Sequence, residues 1–227
     1  MRFSDLPERV REVRERIDAA AHRGGHGQRV TVVAVTKTHG PEAAEAAWEA
    51  GLQDVGENRV QEALEKMDAV RAAVRWHLIG HLQRNKAKHV TRFALVHSID
   101  SARVADAVSE VGCRSGRPID VLVQVNVVGE TTKGGIALGM LQAEGERIHA
   151  LKGVRVRGVM AMAPLDADER TLRHVFASAR EAAATLRAGG HEATELSMGM
   201  SNDFETAVEE GATIVRLGTI LFGARAA

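Results

Sequence analysis

Short apolar runs recur about eight times along the chain, and each is followed by a stretch of helical composition. This alternation is the tightest constraint on the fold. Strands buried on both faces read as near-continuous Val/Ile/Leu runs, and a strand–helix repeat builds a parallel sheet. The pattern predicts strands at Val30–Val35, Gln53–Val55, Trp76–Ile79, Ala94–Ile99, Ile119–Val125, Val154–Met160, Glu195–Ser197 and Thr213–Leu217. It predicts helices at Glu42–Ala50 between Pro41 and Gly51, at Arg59–Arg71, near Asn85–Val90, and at Arg103–Val111 behind Asp100 or Ser101 as cap. Further helices are expected around Leu138–Ala150, at Ala167–Ala188 before Gly189-Gly190, and at Phe204–Glu210, with a last turn at Ile220–Phe222. An amphipathic helix, Leu6–Ala21, precedes the first strand and is expected to cover the barrel floor.

Eight such units make a (β/α)8 barrel, and the 227 residues are enough for one domain spanning 1–227. An open doubly wound sheet is the competing α/β fold. It usually carries a Gly-rich turn after its first strand, and none follows Val35.

Composition narrows the function classes. Lys+Arg and Asp+Glu balance at 30 each, so no net charge draws the chain to nucleic acid or an anionic membrane. Cys113 is the one cysteine, which excludes an internal disulfide and a cysteine-based zinc site. No run approaches the ~18 apolar residues of a membrane span, and Met1–Asp5 lacks the apolar run of a secretion signal. A soluble cytoplasmic protein is expected. There is no tyrosine, so no tyrosine serves as acid or base. His77, His81 and His97 lack a metal-ligand spacing, and no metal is expected. The basic run Arg84–His89 is short and free of aromatics, and it reads as a solvated helix face.

In a barrel the loops after the strands form the active face. Here they carry the unusual residues: Lys37, Gly56-Glu57-Asn58, Gly80-His81-Leu82-Gln83, Ser98, Asn126, Met160-Ala161-Met162, Ser197–Ser201 and Arg216–Thr219. Lys37 ends an apolar strand, where desolvation disfavours an ammonium and favours a nucleophilic amine. A lysine there can equally snorkel to water. Gly199, Ser201 and Gly218-Thr219 lie where barrels hold phosphate, although a glycine turn and an ordinary helix cap account for the same letters. Arg216 sits within Ile214-Val215-Arg216-Leu217 and needs a partner, either a ligand or a carboxylate such as Glu195.

Taken in order, these segments carry a family resemblance. Val33-Ala34-Val35-Thr36-Lys37, Gly56–Glu62, Trp76–Lys86, His97-Ser98-Ile99-Asp100, Val125-Asn126, Gly158–Met162, Leu196–Asp203 and Val215–Thr219 with Phe222-Gly223 span nearly the whole chain. The chain resembles the pyridoxal phosphate homeostasis proteins, small barrels of the alanine racemase N-terminal domain type without that enzyme's C-terminal β domain. The resemblance implies that Lys37 forms a Schiff base with pyridoxal 5'-phosphate. It implies that Ser201, Gly218 and Thr219 hold the phosphate, that Arg216 faces the pyridine nitrogen, and that Asn58, His81, Ser98 and Met198 line the cofactor. The stretch Val127–Gly135 matches the family's loop only loosely, which leaves a role for Lys133 open.

The function this implies is binding, buffering or delivery of the cofactor in vitamin B6 homeostasis, with cofactor-requiring apo-enzymes as recipients. A small neutral barrel without an obvious exposed apolar stripe is expected to be a monomer. No catalytic residue is assigned, because the tyrosine of alanine racemases is missing. The alternatives are a minimal cofactor-dependent amino-acid racemase using Lys37 as its one base, and a cofactor-free phosphosugar barrel.

Overall fold

Eight parallel strands close into a ring in the computed structural model, which describes residues 3–129 and 134–223. The strands are β1 (Thr31–Val35), β2 (Asp54–Glu57), β3 (Arg75–Leu78), β4 (Leu95–Ile99), β5 (Ile119–Asn126), β7 (Val154–Met160), β8 (Glu195–Ser197) and β9 (Ile214–Leu217). Around the ring the order is β4-β3-β2-β1-β9-β8-β7-β5, and β5 pairs back to β4. The decisive closure is between first and last strands, where Val32 pairs with Val215 and Val33 with Arg216. The closed barrel is therefore the fold, and the open sheet is excluded. A two-residue strand, β6 (Ile136–Ala137), adds to the end of β5 and was not evident in the sequence.

The helices are α1 (Leu6–Gly24), α2 (Glu42–Glu49), α3 (Val60–Ala69), α4 (Ala102–Ser115), α5 (Leu141–His149), α6 (Glu169–Ala188), α7 (Phe204–Glu209) and α8 (Thr219–Phe222). The basic stretch Arg84–Arg92 is a 3-10 helix rather than an α-helix, with Ala87 and Val90 buried three residues apart. Helix α1 runs beyond Ala21 to Gly24, because the left-handed Gly25 can close it with a bond to the Ala21 carbonyl.

Its placement also differs from expectation. Leu6, Val10, Val13, Ile17 and Ala20 form its buried stripe, and it packs against α2, α7 and α8 on the outside of the barrel. Arg9 donates to the Leu221 carbonyl and Arg14 to the Gly51 carbonyl. Since α8 is only four residues long, α1 supplies the outer cover beside the last strand. Only its C-terminal turns reach the floor, near Thr31 and Asp54.

Side chains alternate along each strand. Val32, Ala34, Val55, Trp76, Leu78, Val96, Val121, Val123, Val215 and Leu217 face the helices and form the main apolar core. A second apolar cluster fills the lumen: Val33, Leu95, Leu122, Met160 and Ile214. Several other inward positions, Asp54, His77, His97, Gln124, Ser197 and Arg216, are polar and buried, and they decide what the mouth can do.

Candidate functional site

The loops after the strands enclose a cavity of about 980 Å³, at the upper end of the ~300–1,000 Å³ typical of small-molecule sites. Lys37, Asn58, His81, Ser201, Arg216, Gly218 and Thr219 all line it. Seven of the nine expected site residues, drawn from five different strand ends, thus meet in one space. Ser98 and Met198 stand behind the wall instead. The Ser98 hydroxyl donates to the Gly80 carbonyl, 2.7 Å away, and Met198 is buried in the helix-facing core. Lys133 lies outside the described residues.

Lys37 follows β1 in a turn whose neighbours are clamped on both sides. Before it, the Thr36 N–H bonds to the Gly56 carbonyl and the Thr36 hydroxyl donates to Glu57 Oε1. After it, the Thr38 N–H donates to Glu62 Oε1 at 2.8 Å, and Thr38 holds φ at 70°, unusual for a residue with a Cβ. One buried ammonium joins these bonds. Lys66 on α3 reaches the Thr36 carbonyl (2.8 Å), Glu57 (2.7 Å) and Glu62 (2.8 Å). Burial raises the Glu57 carboxyl above its ordinary value, against the pull of the Lys66 and Thr36 bonds. For Glu62, burial also pushes upward, but the bonds from Lys66 and the Thr38 N–H prevail and hold it low. None of Glu57, Glu62 or Lys66 was singled out as supporting Lys37, because their meeting depends on how α3 docks on β2.

Arg216 forms the inner wall. Its Nη1 donates to Ser197 Oγ at 2.6 Å and its Nη2 to the Ala161 carbonyl at 3.0 Å. Glu195 is not its partner; that carboxylate accepts from the Thr213 hydroxyl. Among the described residues no carboxylate lies within ion-pair distance of Arg216. Burial pulls the guanidinium down to about 10, with the Asp203 charge opposing. It stays charged at neutral pH, a buried cation aimed at an open cavity.

The opposite rim carries His81 and Asp100, paired at 2.8 Å, with Ser101 donating to the other Asp100 oxygen. The Ser201 hydroxyl accepts from the Ile220 N–H, which brings the loop after β8 against the start of α8. Gly199 permits that loop: its φ is 92°, and a Cβ there would sit 2.7 Å from the Ala207 Cβ. Asp203 precedes α7, and its Oδ1 accepts from the Met200 N–H. Gln124 and the apolar lip Met162, Pro164, Leu165 and Leu172 complete the cavity. Of this lip only Met162 stands out in the sequence; Pro164, Leu165 and Leu172 join it through the path of the loop after β7 and the start of α6.

This set fits a phosphorylated aromatic aldehyde. It offers one amine, one fixed cation for a ring nitrogen, and hydroxyls of Ser201 and Thr219 with the Gly218 backbone for an anionic tail. The amine and the tail site come from β1 and the loop after β9, which are neighbours in the ring. Among the described residues no group of three or more His, Cys, Asp or Glu could hold a metal, and no helix is long and apolar enough to cross a membrane.

Comparisons with known proteins identify the family and the fold. The family model of the alanine racemase N-terminal domain matches residues 9–226. The pyridoxal phosphate homeostasis protein of Aquifex aeolicus is 41% identical over 222 residues, covering 96% of this chain and 97% of its own. Its Pseudomonas aeruginosa counterpart is 42% identical over 227 residues, covering 98% and 97%. PipY of Synechococcus elongatus, solved with PLP bound, superposes with a TM-score of 0.85 at 37% identity, covering 96% of this chain and 100% of that one. Alanine racemase from Corynebacterium glutamicum shares the fold, with a TM-score of 0.70 at 20% identity, and this chain spans 61% of its length.

Proposed function

Since the chain belongs to the pyridoxal phosphate homeostasis proteins, within the alanine racemase N-terminal domain family, we propose that it binds pyridoxal 5'-phosphate through Lys37 and keeps that cofactor in a deliverable form. The observation that carries this reading is the convergence of Lys37, Arg216, Ser201 and Thr219 on one cavity. When bound, the cofactor supplies an aldehyde that condenses with amines and a conjugated ring that withdraws electrons.

The chain's own residues do the rest. Lys37 holds the cofactor covalently, presented by the clamp on Thr36 and Thr38. Ser201 and Thr219 donate hydroxyl protons to the phosphate, and Gly218 lets the backbone approach it. Arg216 can only donate, so it favours an unprotonated ring nitrogen and weakens electron withdrawal. Asn58 and His81 contact the remaining ring edge. Ser98 supports this edge indirectly through Gly80, and Met198 through the core. A weakened electron sink suits holding and release better than turnover. We further propose a monomeric cytoplasmic carrier whose recipients are apo-enzymes that require the cofactor.

Added cofactor should give a visible absorbance band, and borohydride should fix it to Lys37, as located by peptide mass spectrometry. Lys37→Ala should lose the band while keeping a wild-type circular dichroism spectrum. A colourless protein, or an adduct on another lysine, overturns the reading. The racemase reading draws on one observation: His81, paired with Asp100, shares the cavity with Lys37. Solvent deuterium uptake at the α-carbon of amino acids separates the two. Exchange with turnover that is lost in His81→Ala would make the protein an enzyme.

A further inference from the structure

Arg216 is the mouth end of a hydrogen-bonded line that crosses the lumen. Its Nη1 donates to Ser197 Oγ. Ser197 Oγ lies 2.8 Å from His97 Nδ1, His97 Nε2 lies 2.9 Å from His77 Nδ1, and His77 Nε2 lies 2.8 Å from Asp54 Oδ1. β4 and β8 are separated in the ring by β5 and β7, so the His97–Ser197 bond can only pass through the interior. All five side chains are buried. The far end, Asp54 and His77, lines a separate cavity of about 210 Å³ at the floor, where Arg75 also binds Asp54. The line therefore joins the two ends of the barrel.

Its two ends set its direction. A guanidinium only donates and an ionised carboxylate only accepts. Burial pushes Asp54 up, but the bonds from His77 and Arg75 outweigh it and keep the carboxyl below its ordinary value. Burial first, then the repulsion that a protonated His77 and Arg216 would exert, push His97 well below its ordinary value, so His97 is neutral. With Asp54 accepting from His77 Nε2–H, the bare His77 Nδ1 accepts from His97 Nε2–H. The bare His97 Nδ1 then accepts the Ser197 hydroxyl proton, and Ser197 Oγ accepts from Arg216. Every hydrogen in the line has an acceptor. The reverse order gives the Ser197 proton no acceptor among the hydrogen bonds of the described residues, and an unmet buried donor is costly.

We infer that Ser197, His97, His77 and Asp54 are positioning residues that fix Arg216 from behind and couple its charge to a carboxylate at the barrel floor. This rests on the proposed function, in which Arg216 is the group beside the cofactor ring. The line holds the cation from behind and leaves its outer face toward the cavity, where Asp203, the carboxylate whose charge acts on it, also sits. His97 is the pivotal member, because it must accept at one nitrogen and donate at the other.

Nitrogen-15 NMR of the cofactor-free protein tests the direction first. Both His77 and His97 should carry their proton on Nε2; a proton on Nδ1 of either overturns the proposal. The second test compares His97→Gln with His97→Leu. Glutamine keeps one acceptor and one donor at similar spacing, so its cofactor spectrum and affinity should stay within about twofold of wild type. Leucine keeps bulk but breaks the line. It should shift the bound-cofactor band and weaken binding about tenfold, the lower end of the ~10–100-fold cost of losing a group that orients metal ligands. A folded His97→Leu with wild-type band and affinity overturns the proposal. Should His97→Leu fail to fold, the proton positions decide. If the wild-type protein forms no Lys37 adduct, the functional reading fails, while the NMR result still reports on the line.

Discussion

Replacing Lys66 with methionine isolates the support under Lys37. The substitution keeps the length of the side chain and removes the ammonium that joins Thr36, Glu57 and Glu62. Glu57 is fully buried, and its Oε2 already has no partner. Breaking a buried pair by removing one member costs about 3–5 kcal/mol, because the remaining charge is stranded. For a chain of this size that is a fall in Tm of about 6–20 °C, at ~2–4 °C per kcal/mol. The loss depends on pH. The folded Glu57 carboxyl titrates above its ordinary value of 4.5, so the stability tied to its protonated form is complete below that value and disappears as pH rises through the folded one. Without Lys66 the folded value climbs further, since the bond and charge that pulled it down are gone. The gap between wild type and variant should therefore be small near pH 4.5 and largest at neutral pH. Thermal melts across that range measure it, and adding Glu57→Gln should recover more than half of the neutral-pH loss by removing the stranded charge. A gap that does not change with pH, or a double variant no better than the single, refutes the reasoning. Capture of the cofactor should also slow, because Thr36 and Thr38 lose their tether.

Two shorter predictions bear on the mouth. Gly80→Ala would place a Cβ 2.3 Å from the Asn58 carbonyl oxygen; it should cost about 1–3 kcal/mol in a denaturant melt and weaken cofactor binding, because the loops after β2 and β3 are forced apart. Arg216→Gln should leave the cofactor-free protein as stable as wild type to within about 1 kcal/mol, since it removes a buried cation with no carboxylate at ion-pair distance. Its cofactor absorbance should nonetheless shift, and chemical denaturation paired with visible spectra checks both halves.

The ring of strands was legible because its outward positions obey a simple rule: they bury Val, Ala and Leu against helices. Lys37, Arg216 and the residues after β8 and β9 were legible because a charge or a glycine at the end of an apolar run is conspicuous. The supports were not. Asp54 and Glu57 are buried in a strand that reads as polar, and it was expected to end at Val55. Their burial follows from partners 9 to 23 residues away, His77, Arg75 and Lys66, that local pattern does not connect. His97–Ser197, 100 residues apart, is visible only once the ring is closed. The path of α1 likewise depends on α8 being too short to cover the last strand.

Both supports start on β2, three residues apart, and strand geometry sends them to opposite faces. Asp54 points into the lumen and begins the line to Arg216, while Glu57 points outward to α3 and anchors the turn of Lys37. The sheet separates them, and the hydrogen bonds of the described residues give them no shared partner. One end of a bound cofactor would thus be held from outside the barrel and the other from within. Changes at sites without shared partners add to within about 0.3–0.5 kcal/mol. Lys66→Met and His97→Leu should therefore lower stability additively in the cofactor-free protein. In cofactor affinity they should not add, because one rigid molecule spans both ends and a loss of register at either already loosens it. Additive affinities would mean that the lumen line and the clamp act on separate parts of a mobile ligand; coupled stabilities would mean that β2 transmits strain between its faces.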